Sequence, residues 1–517
     1  MKNVLEYLEN TAHRLPDKMA VTDGNESCTF SELQSNAAKI GRVLSDYVSA
    51  GKPVAVLMKK SKKTLQIFMG TVYAGGFYCL LDPDFPDVRH KSQLETLQPE
   101  LIVTEPETME KVERLGFEGT VLTTDELFEK IKSVEPLPEV SSVSSEGIEK
   151  IDTAETTDSA DSSVPLYCNF TSGSTGVPKG VLVGHASVIS FIDTFTEMFG
   201  ITEDDVIGNQ APFDFDVSVK DIYSCLKTGA TMVIIPTAFF RFPNNVMDML
   251  EKYEVTTLTW AVSALVLINR LHEFMYKVPP NIKRVLFSGE EMPAKHLRDW
   301  MDQYPDADFV NLYGPTEITC NCSYYRIDKN DVPEKLPIGN VFPGKEIYLM
   351  AEDGRIIDEL DETVGEICVA GNELALGYYN NEEATSKAFV TLGGIGRVYK
   401  TGDLGFRKDG LLHFAGRRDF QIKHNGHRIE LEEIERAMNS LEGIGQACCI
   451  YDTDKYRIVV YYTVEADGPD KKQIVAGLKT KLPDYMLPNV YKVLDEMPLT
   501  KNGKIDRNSL RELLSKK

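Results

Sequence analysis

The sequence predicts an α/β fold: a large N-terminal part with β-sheets flanked by helices, residues 1–415, followed by a small α+β part, residues 416–517. Three observations carry this. At 517 residues the chain can bury more than one core. A strand-like run, Val164 to Phe170, leads through a glycine-rich loop towards a segment in which Val188, Ile189, Phe191, Ile192 and Phe195 recur at helical spacing. Past a boundary near Gly416 to Asp419 the pattern changes. There follow a short β-rich segment, an amphipathic helix-like run from Glu432 to Leu441, alternating strands such as Ile458 to Val464, and a closing basic loop and helix.

Along the chain, the first break is Ser133 to Ser163. It is rich in Ser, Thr and Pro, holds eight acids against one lysine and lacks aromatic residues, so it reads as an acidic, linker-like excursion of the first part. The strand-like run after it opens the loop Thr171-Ser172-Gly173-Ser174-Thr175-Gly176-Val177-Pro178-Lys179-Gly180. Its glycines let backbone N–H groups turn inward as an anion nest, its hydroxyls donate to phosphate oxygens, and Lys179 adds a mobile positive charge. A P-loop would need Gly, four free positions and then Gly-Lys-Ser/Thr. Here the lysine follows proline and precedes glycine, so neither the Gly-Lys pair nor the metal-binding hydroxyl is in place. A flexible Gly/Ser linker is the competing reading; the Pro-Lys-Gly ending between apolar flanks argues against it.

Charge and cysteine usage exclude several classes. A net charge of −23 and a pI near 4.9 set the chain against nucleic acid and anionic membrane surfaces, so any phosphate site must concentrate its own cations. No apolar run approaches the about 20 residues a membrane span needs. The start, Met1-Lys2-Asn3-Val4-Leu5-Glu6, has no secretory pattern, and a cytoplasmic location is expected. The nine cysteines show no CxxC spacing, and Cys320 with Cys322 and the adjacent Cys448 and Cys449 read as buried free thiols.

Five further stretches follow the loop: Phe215-Asp216-Val217-Ser218, Tyr313-Gly314-Pro315-Thr316-Glu317, Tyr399-Lys400-Thr401-Gly402-Asp403, Gly416-Arg417-Arg418-Asp419-Phe420-Gln421-Ile422-Lys423, and Pro498-Leu499-Thr500-Lys501-Asn502-Gly503-Lys504-Ile505-Asp506-Arg507. Weaker echoes lie at Phe30-Ser31-Glu32-Leu33, at Leu81-Asp82-Pro83 and from Gly365 to Gly371. In order and spacing, over nearly the whole length, the set resembles the adenylate-forming superfamily of amino-acid adenylation domains and acyl-CoA synthetases. The resemblance implies an adenylation core with a mobile C-terminal lid, using ATP and Mg2+. It implies that Thr171, Ser172, Gly173, Ser174, Thr175, Gly176 and Lys179 hold the β- and γ-phosphates. Asn311 would read the adenine amino edge while Tyr313, with Gly314 beside it, stacks on the ring. Asp403, assisted by Arg417, would accept the ribose hydroxyls, Thr316 would touch the α-phosphate, and Glu317 would bring Mg2+. Lys504 would bridge substrate carboxylate, α-phosphate and ribose; Lys501 better suits a solvated turn. Asp419 would be the hinge of the lid, and Gly426, in the Lys423-His424-Asn425-Gly426-His427-Arg428 loop, would let a phosphopantetheine arm approach. His185, His424 and His427 read as packing residues rather than bases.

The resemblance implies that Asp216 pairs with a substrate ammonium, as an aspartate does here in the amino-acid-activating branch, which favours an amino acid over an acid without an amine. By position the side-chain pocket would be lined by Val217, Lys220, Ser263, Leu286, Ser288, Leu312, Cys320 and Asn321. Within the branch the chain is most similar to the D-alanine:D-alanyl-carrier-protein ligases. That implies a small amino acid, D-alanine first, loaded on a separate acyl or peptidyl carrier protein for cell-wall (teichoic acid) modification. Two positions depart from that pattern: Ser288, where those ligases tend to carry cysteine, and Lys220, where they carry an apolar residue. Lys220 reads as an i,i+4 partner of Asp216 or a snorkelling side chain that narrows the pocket, or else as a cation awaiting a substrate carboxylate. The alternatives left open are a freestanding nonribosomal-peptide adenylation enzyme for another small or acidic amino acid, an acyl-CoA synthetase, and a non-catalytic nucleotide-binding scaffold.

Overall fold

The computed structural model describes residues 1–140, 164–173, 177–358, 362–465, 468–499 and 505–515. Ser174, Thr175, Gly176, Lys504 and the acidic excursion beyond residue 140 lie outside the described residues. The chain forms two compact units. The first comprises Met1–Pro83, Leu97–Asn169 and Gly180–Arg418; the second comprises Asp84–Thr96, Phe170–Lys179 and Asp419–Lys517.

Strands alternating with helices dominate the first unit, as the α/β prediction requires. One sheet of seven strands runs in the order Gly377–Tyr378, Lys179–Gly184, Pro165–Thr171, Phe77–Leu81, Pro53–Leu57, Leu101–Thr104, Thr120–Thr123. Its central strands, Pro53–Leu57 and Phe77–Leu81, are buried at every position and pair in parallel, which is why they read as continuous apolar runs rather than alternation. Helix Phe30–Leu44 owes its start to a capping box: Glu32 N–H donates to the Thr29 hydroxyl at 3.2 Å and Thr29 N–H donates to Glu32 Oε2 at 2.9 Å. The Phe30-Ser31-Glu32-Leu33 run is that cap plus the first buried turn.

A second sheet has nine strands, six of them consecutive in space and parallel: Asp308–Tyr313, Arg284–Ser288, Thr257–Ala261, Val206–Asn209, Thr231–Ile234 and Met19–Thr22. A core around Trp260, Trp300 and Phe287 packs one side of it. A third sheet, antiparallel, contains Lys345–Met350, Gly365–Gly371, Gly396–Lys408 and Leu411–Arg417.

The second unit joins a hairpin, Gln421–His424 with His427–Glu430, to a three-stranded sheet of Ile444–Asp452, Arg457–Val464 and Val490–Val493. Helix Leu431–Asn439 lays Ile434 and Met438 into a core with Cys449, Val460 and Leu478. Sequence periodicity anticipates this helix and the strand Arg457–Val464. It passes over the strand Lys179–Gly184, which separates the glycine-rich loop from helix His185–Met198. That strand is short and buried from Gly180 onward, with the β-branched Val181 and Val183. Among the described residues no helix is long and apolar enough to cross a membrane, and all nine cysteines are buried and outside any disulfide.

Candidate functional site

The parallel strands of the nine-stranded sheet end at one edge, and the segments leaving those ends carry most of the residues singled out in the sequence. Beyond Val206–Asn209 comes Asp216 and helix Val217–Thr228 with Lys220. Ser263 lies in the first turn of helix Val262–Arg270, directly after Thr257–Ala261. Leu286 and Ser288 are on Arg284–Ser288, with Ser288 in register with Leu312 and Phe287 with Asn311. Tyr313 ends the next strand and leads into the turn that carries Thr316, Glu317, Cys320 and Asn321.

Asp403, 3% exposed, stands opposite Arg417 in the antiparallel pair Gly396–Lys408 and Leu411–Arg417. Arg417 Nη1 donates to Asp403 Oδ1, Tyr313 OH donates to Asp403 Oδ2 at 2.5 Å, and Arg417 Nη2 donates to the Thr401 carbonyl at 3.3 Å. Burial, then the neighbouring Asp403 charge, pushes the Tyr313 phenol well above its ordinary value, so it stays a donor. Both carboxylate oxygens are thus fixed in direction by charge-assisted bonds. Asn311 donates to the Pro337 carbonyl at 2.9 Å from the same strand as Tyr313.

The turn after Tyr313 is tightly specified. A Cβ on Gly314 would lie 2.5 Å from the Cys320 carbonyl oxygen and 2.6 Å from Asn321 Cα. Thr319 and Cys320 both have positive φ, 55° and 72°, strain that surrounding bonds must hold. Those bonds exist: Thr319 hydroxyl to the Glu373 carbonyl at 2.7 Å, Cys322 N–H to the Tyr313 carbonyl at 2.8 Å, and Lys345 Nζ to the carbonyls of Ile318 at 3.1 Å and Asn321 at 2.8 Å. Glu317 is fully buried; its Oε1 accepts the Tyr378 hydroxyl at 2.8 Å and its carbonyl accepts Ala375 N–H at 2.8 Å. Glu317 supplies a carboxylate, the kind of oxygen ligand that Mg2+ takes alongside water and phosphate oxygens. Among the described residues no group of three or more His, Cys, Asp or Glu could hold a metal by itself.

Lys220 does not snorkel: it is 1% exposed, its Nζ donates to Asn321 Oδ1 at 2.9 Å, and Asp216, four residues earlier, attracts it through space. Burial lowers its pKa, with Cys320, Asp216 and Asp221 pulling the other way. Cys320 Sγ donates to the Asp216 carbonyl at 3.1 Å, which ties the turn to the start of the Lys220 helix. Beneath lies a polar network that no local sequence pattern marks. Lys60 Nζ donates to Asn209 Oδ1 at 3.0 Å and to the Gln210 carbonyl at 2.7 Å, and Asn209 Nδ2 donates to Asp221 Oδ2 at 2.8 Å. Burial brings Lys60 down to about 7 and Asp221 up to about 7. Lys345 and Tyr378 were equally unmarked, because a lone Lys or Tyr carries no local spacing signal.

In the second unit, the Ser172 hydroxyl donates to the Arg428 carbonyl at 2.8 Å and Arg436 donates to the Gly173 carbonyl at 3.4 Å. A Cβ on Gly173 would lie 2.2 Å from the Val177 carbonyl oxygen. Thr171 ends strand Pro165–Thr171 and Lys179 opens the next strand. Asp419 Oδ1 accepts Gln421 N–H at 3.2 Å. Gly426 is the second residue of a two-residue Asn425-Gly426 hairpin turn, φ 52° and 79°, between His424 and His427. Those histidines pack, His427 stacked on Tyr485 at 3.7 Å and His424 edge-on to Tyr451. In the first unit, His185 Nδ1 accepts Val4 N–H at 3.2 Å and is likewise part of the packing.

Known proteins are similar to this chain over nearly its whole length. The family model described as AMP-binding enzyme matches residues 8–379, and that described as AMP-binding enzyme C-terminal domain matches residues 433–504. The D-alanine--D-alanyl carrier protein ligase of Bacillus licheniformis is 32% identical over 98% of this chain and 99% of its own length. Zwittermicin A synthase ZmaJ of Bacillus cereus is 31% identical over 99% and 95%. Among solved structures, the Vibrio cholerae adenylation domain AlmE in complex with glycyl-adenosine-5'-phosphate shares the fold, with a TM-score of 0.84 at 19% identity over 100% of this chain and 98% of that one.

Proposed function

Since the chain belongs to the AMP-binding enzyme family, we propose that it is an ATP-dependent, AMP-forming ligase that activates an amino acid and passes it to the phosphopantetheine thiol of a separate carrier protein. The observation that carries this reading is the buried Asp403 carboxylate held by Tyr313 and Arg417, a preset acceptor pair for a ribose, in the same unit as Asp216, a carboxylate suited to a substrate ammonium.

In the first half-reaction a carboxylate oxygen of the amino acid attacks the α-phosphorus of ATP, the bond to the β-phosphate oxygen breaks, and pyrophosphate leaves. Charge grows on the α-phosphate oxygens, so positioned cations and donors supply most of the catalysis. Lys504 is the proposed cation that offsets that charge, with Thr316 as a hydroxyl donor to the α-phosphate. Glu317 is the proposed holder of Mg2+, which neutralises phosphate charge when bound. The loop from Thr171 to Lys179 is the proposed phosphate cradle, and Asn311 and Tyr313 the adenine contacts. In the second half-reaction the carrier thiol attacks the acyl carbonyl and AMP leaves; Asp419 is the proposed hinge between the two and Gly426 the proposed approach for the arm. Val217, Lys220, Ser263, Leu286, Ser288, Leu312, Cys320 and Asn321 are the proposed side-chain pocket.

D-alanine, the substrate in the relative's name, is the reference compound for this pocket. A freestanding adenylation enzyme for another amino acid is the second reading, and the buried Lys220 is the observation that favours it. Amino-acid-dependent exchange of labelled pyrophosphate into ATP tests the proposal. Exchange with at least one amino acid is expected; activity only with plain carboxylic acids and coenzyme A would contradict it.

A further inference from the structure

Asn321 is gripped from two sides by buried lysines. Lys220 Nζ donates to its side-chain oxygen at 2.9 Å, and Lys345 Nζ donates to its backbone carbonyl at 2.8 Å. Lys345, 7% exposed, also rests over the Phe191 ring at 4.9 Å, so the backbone of Asn321 has little freedom to turn. An ammonium is donor only, which forces Asn321 Oδ1 towards Lys220 and leaves Asn321 Nδ2 facing elsewhere. Among the described residues Asn321 Nδ2 has no acceptor and Lys220 Nζ has one of the three it can use. The two side chains together form a wall that offers hydrogen-bond donors and no acceptor.

Such a wall is short of negative charge. Asp216 and Asp221 act on Lys220 through space, yet neither pairs with it, and Asp221 is engaged by Asn209. Keeping an ammonium at 1% exposure with one neutral acceptor is costly unless a bound group completes its shell. Asp216 stands at the start of the same helix, one turn away, a rise of about 6 Å. A ligand with an ammonium at Asp216 and an acceptor at Lys220 is therefore a short amino acid with an acidic end.

We propose that Lys220 and Asn321 select an amino acid whose side chain ends in a carboxylate. One carboxylate oxygen accepts from Lys220 Nζ and the other from Asn321 Nδ2, while Lys345 fixes the wall without touching substrate. The proposal rests on the amino-acid adenylation reading and narrows its substrate. An alanine methyl would leave the ammonium uncompensated, and sites built to bond a polar group reject analogues that lack it by factors of order 10² or more.

The test is pyrophosphate exchange by the full chain with both enantiomers of aspartate, glutamate, asparagine, glutamine and alanine. Aspartate or glutamate is expected to exceed alanine by about 10²-fold or more in kcat/KM, with Lys220→Met erasing that preference. Alanine as the best substrate of the unmodified protein overturns the proposal and leaves the adenylation reading intact; so do amides that match the acids, since charge would then play no part. Exchange with no amino acid overturns both. The panel on the unmodified protein decides the matter even if Lys220→Met fails to fold.

Discussion

Asp403 shows how much one buried carboxylate can organise. With Arg417 across the strand pair and Tyr313 arriving from another sheet, its two oxygens are aimed before any ligand binds. Under the proposed role, Asp403→Asn should raise the KM for ATP by about tenfold or more, from loss of a charge-assisted acceptor. Tyr313→Phe should raise it less, since Arg417 still holds the carboxylate. Steady-state kinetics with varied ATP at saturating amino acid would check both; an unchanged KM with a reduced kcat would place Asp403 elsewhere in the reaction. Residues of this kind were legible because they sit in contiguous motifs. Lys345, Tyr378 and Lys60 were not: each meets its partner across a long stretch of sequence, as in Tyr378 to Glu317, 61 residues apart, and no local spacing encodes that.

At the scale of elements, the turn from Gly314 to Cys322 is where strain and proposed function coincide. Gly314→Ala would drive a methyl to 2.5 Å from the Cys320 carbonyl oxygen, which is backbone and cannot swing aside. The turn must shift, and with it Thr316 and Glu317. We expect at least about a tenfold loss in kcat/KM, because small misplacements of positioning groups are expensive. A variant with unaltered kinetics would show the turn to be slack. Thr29→Ala, by contrast, removes the cap of a helix that carries no proposed site residue, should cost about 1 kcal/mol in urea unfolding and should leave exchange kinetics untouched. Element existence was readable from periodicity, as for helices His185–Met198 and Leu431–Asn439. The strand Lys179–Gly184 was missed because its burial comes from neighbours Pro165–Thr171 and Gly377–Tyr378, which sequence order does not reveal.

For the whole molecule, acid should be a stronger stress than the net charge alone suggests. Burial brings His185 down to about 3, against an ordinary value near 6.5, and its Nδ1 must stay unprotonated to accept Val4 N–H. Between those two values the unfolded chain binds a proton that the folded chain refuses, so stability falls as pH drops from about 6.5 towards 3, by up to about 1.4 kcal/mol per pH unit. Urea midpoints at pH 7 and pH 5 should differ, and His185→Gln, which keeps an acceptor without titrating, should narrow the gap. An identical gap in the variant would assign the acid sensitivity to other groups.

The proposed division of labour across the chain, with phosphate binding near residue 175, ribose binding at Asp403 and a catalytic lysine beyond residue 500, rests on adenylation being the chemistry. Labelled pyrophosphate exchange into ATP by the full chain and by Lys504→Ala measures that most directly. Exchange that depends on an amino acid and falls by about 10²-fold or more in the variant is the predicted result. Full exchange by Lys504→Ala, or none by the unmodified protein with any amino acid, would contradict it.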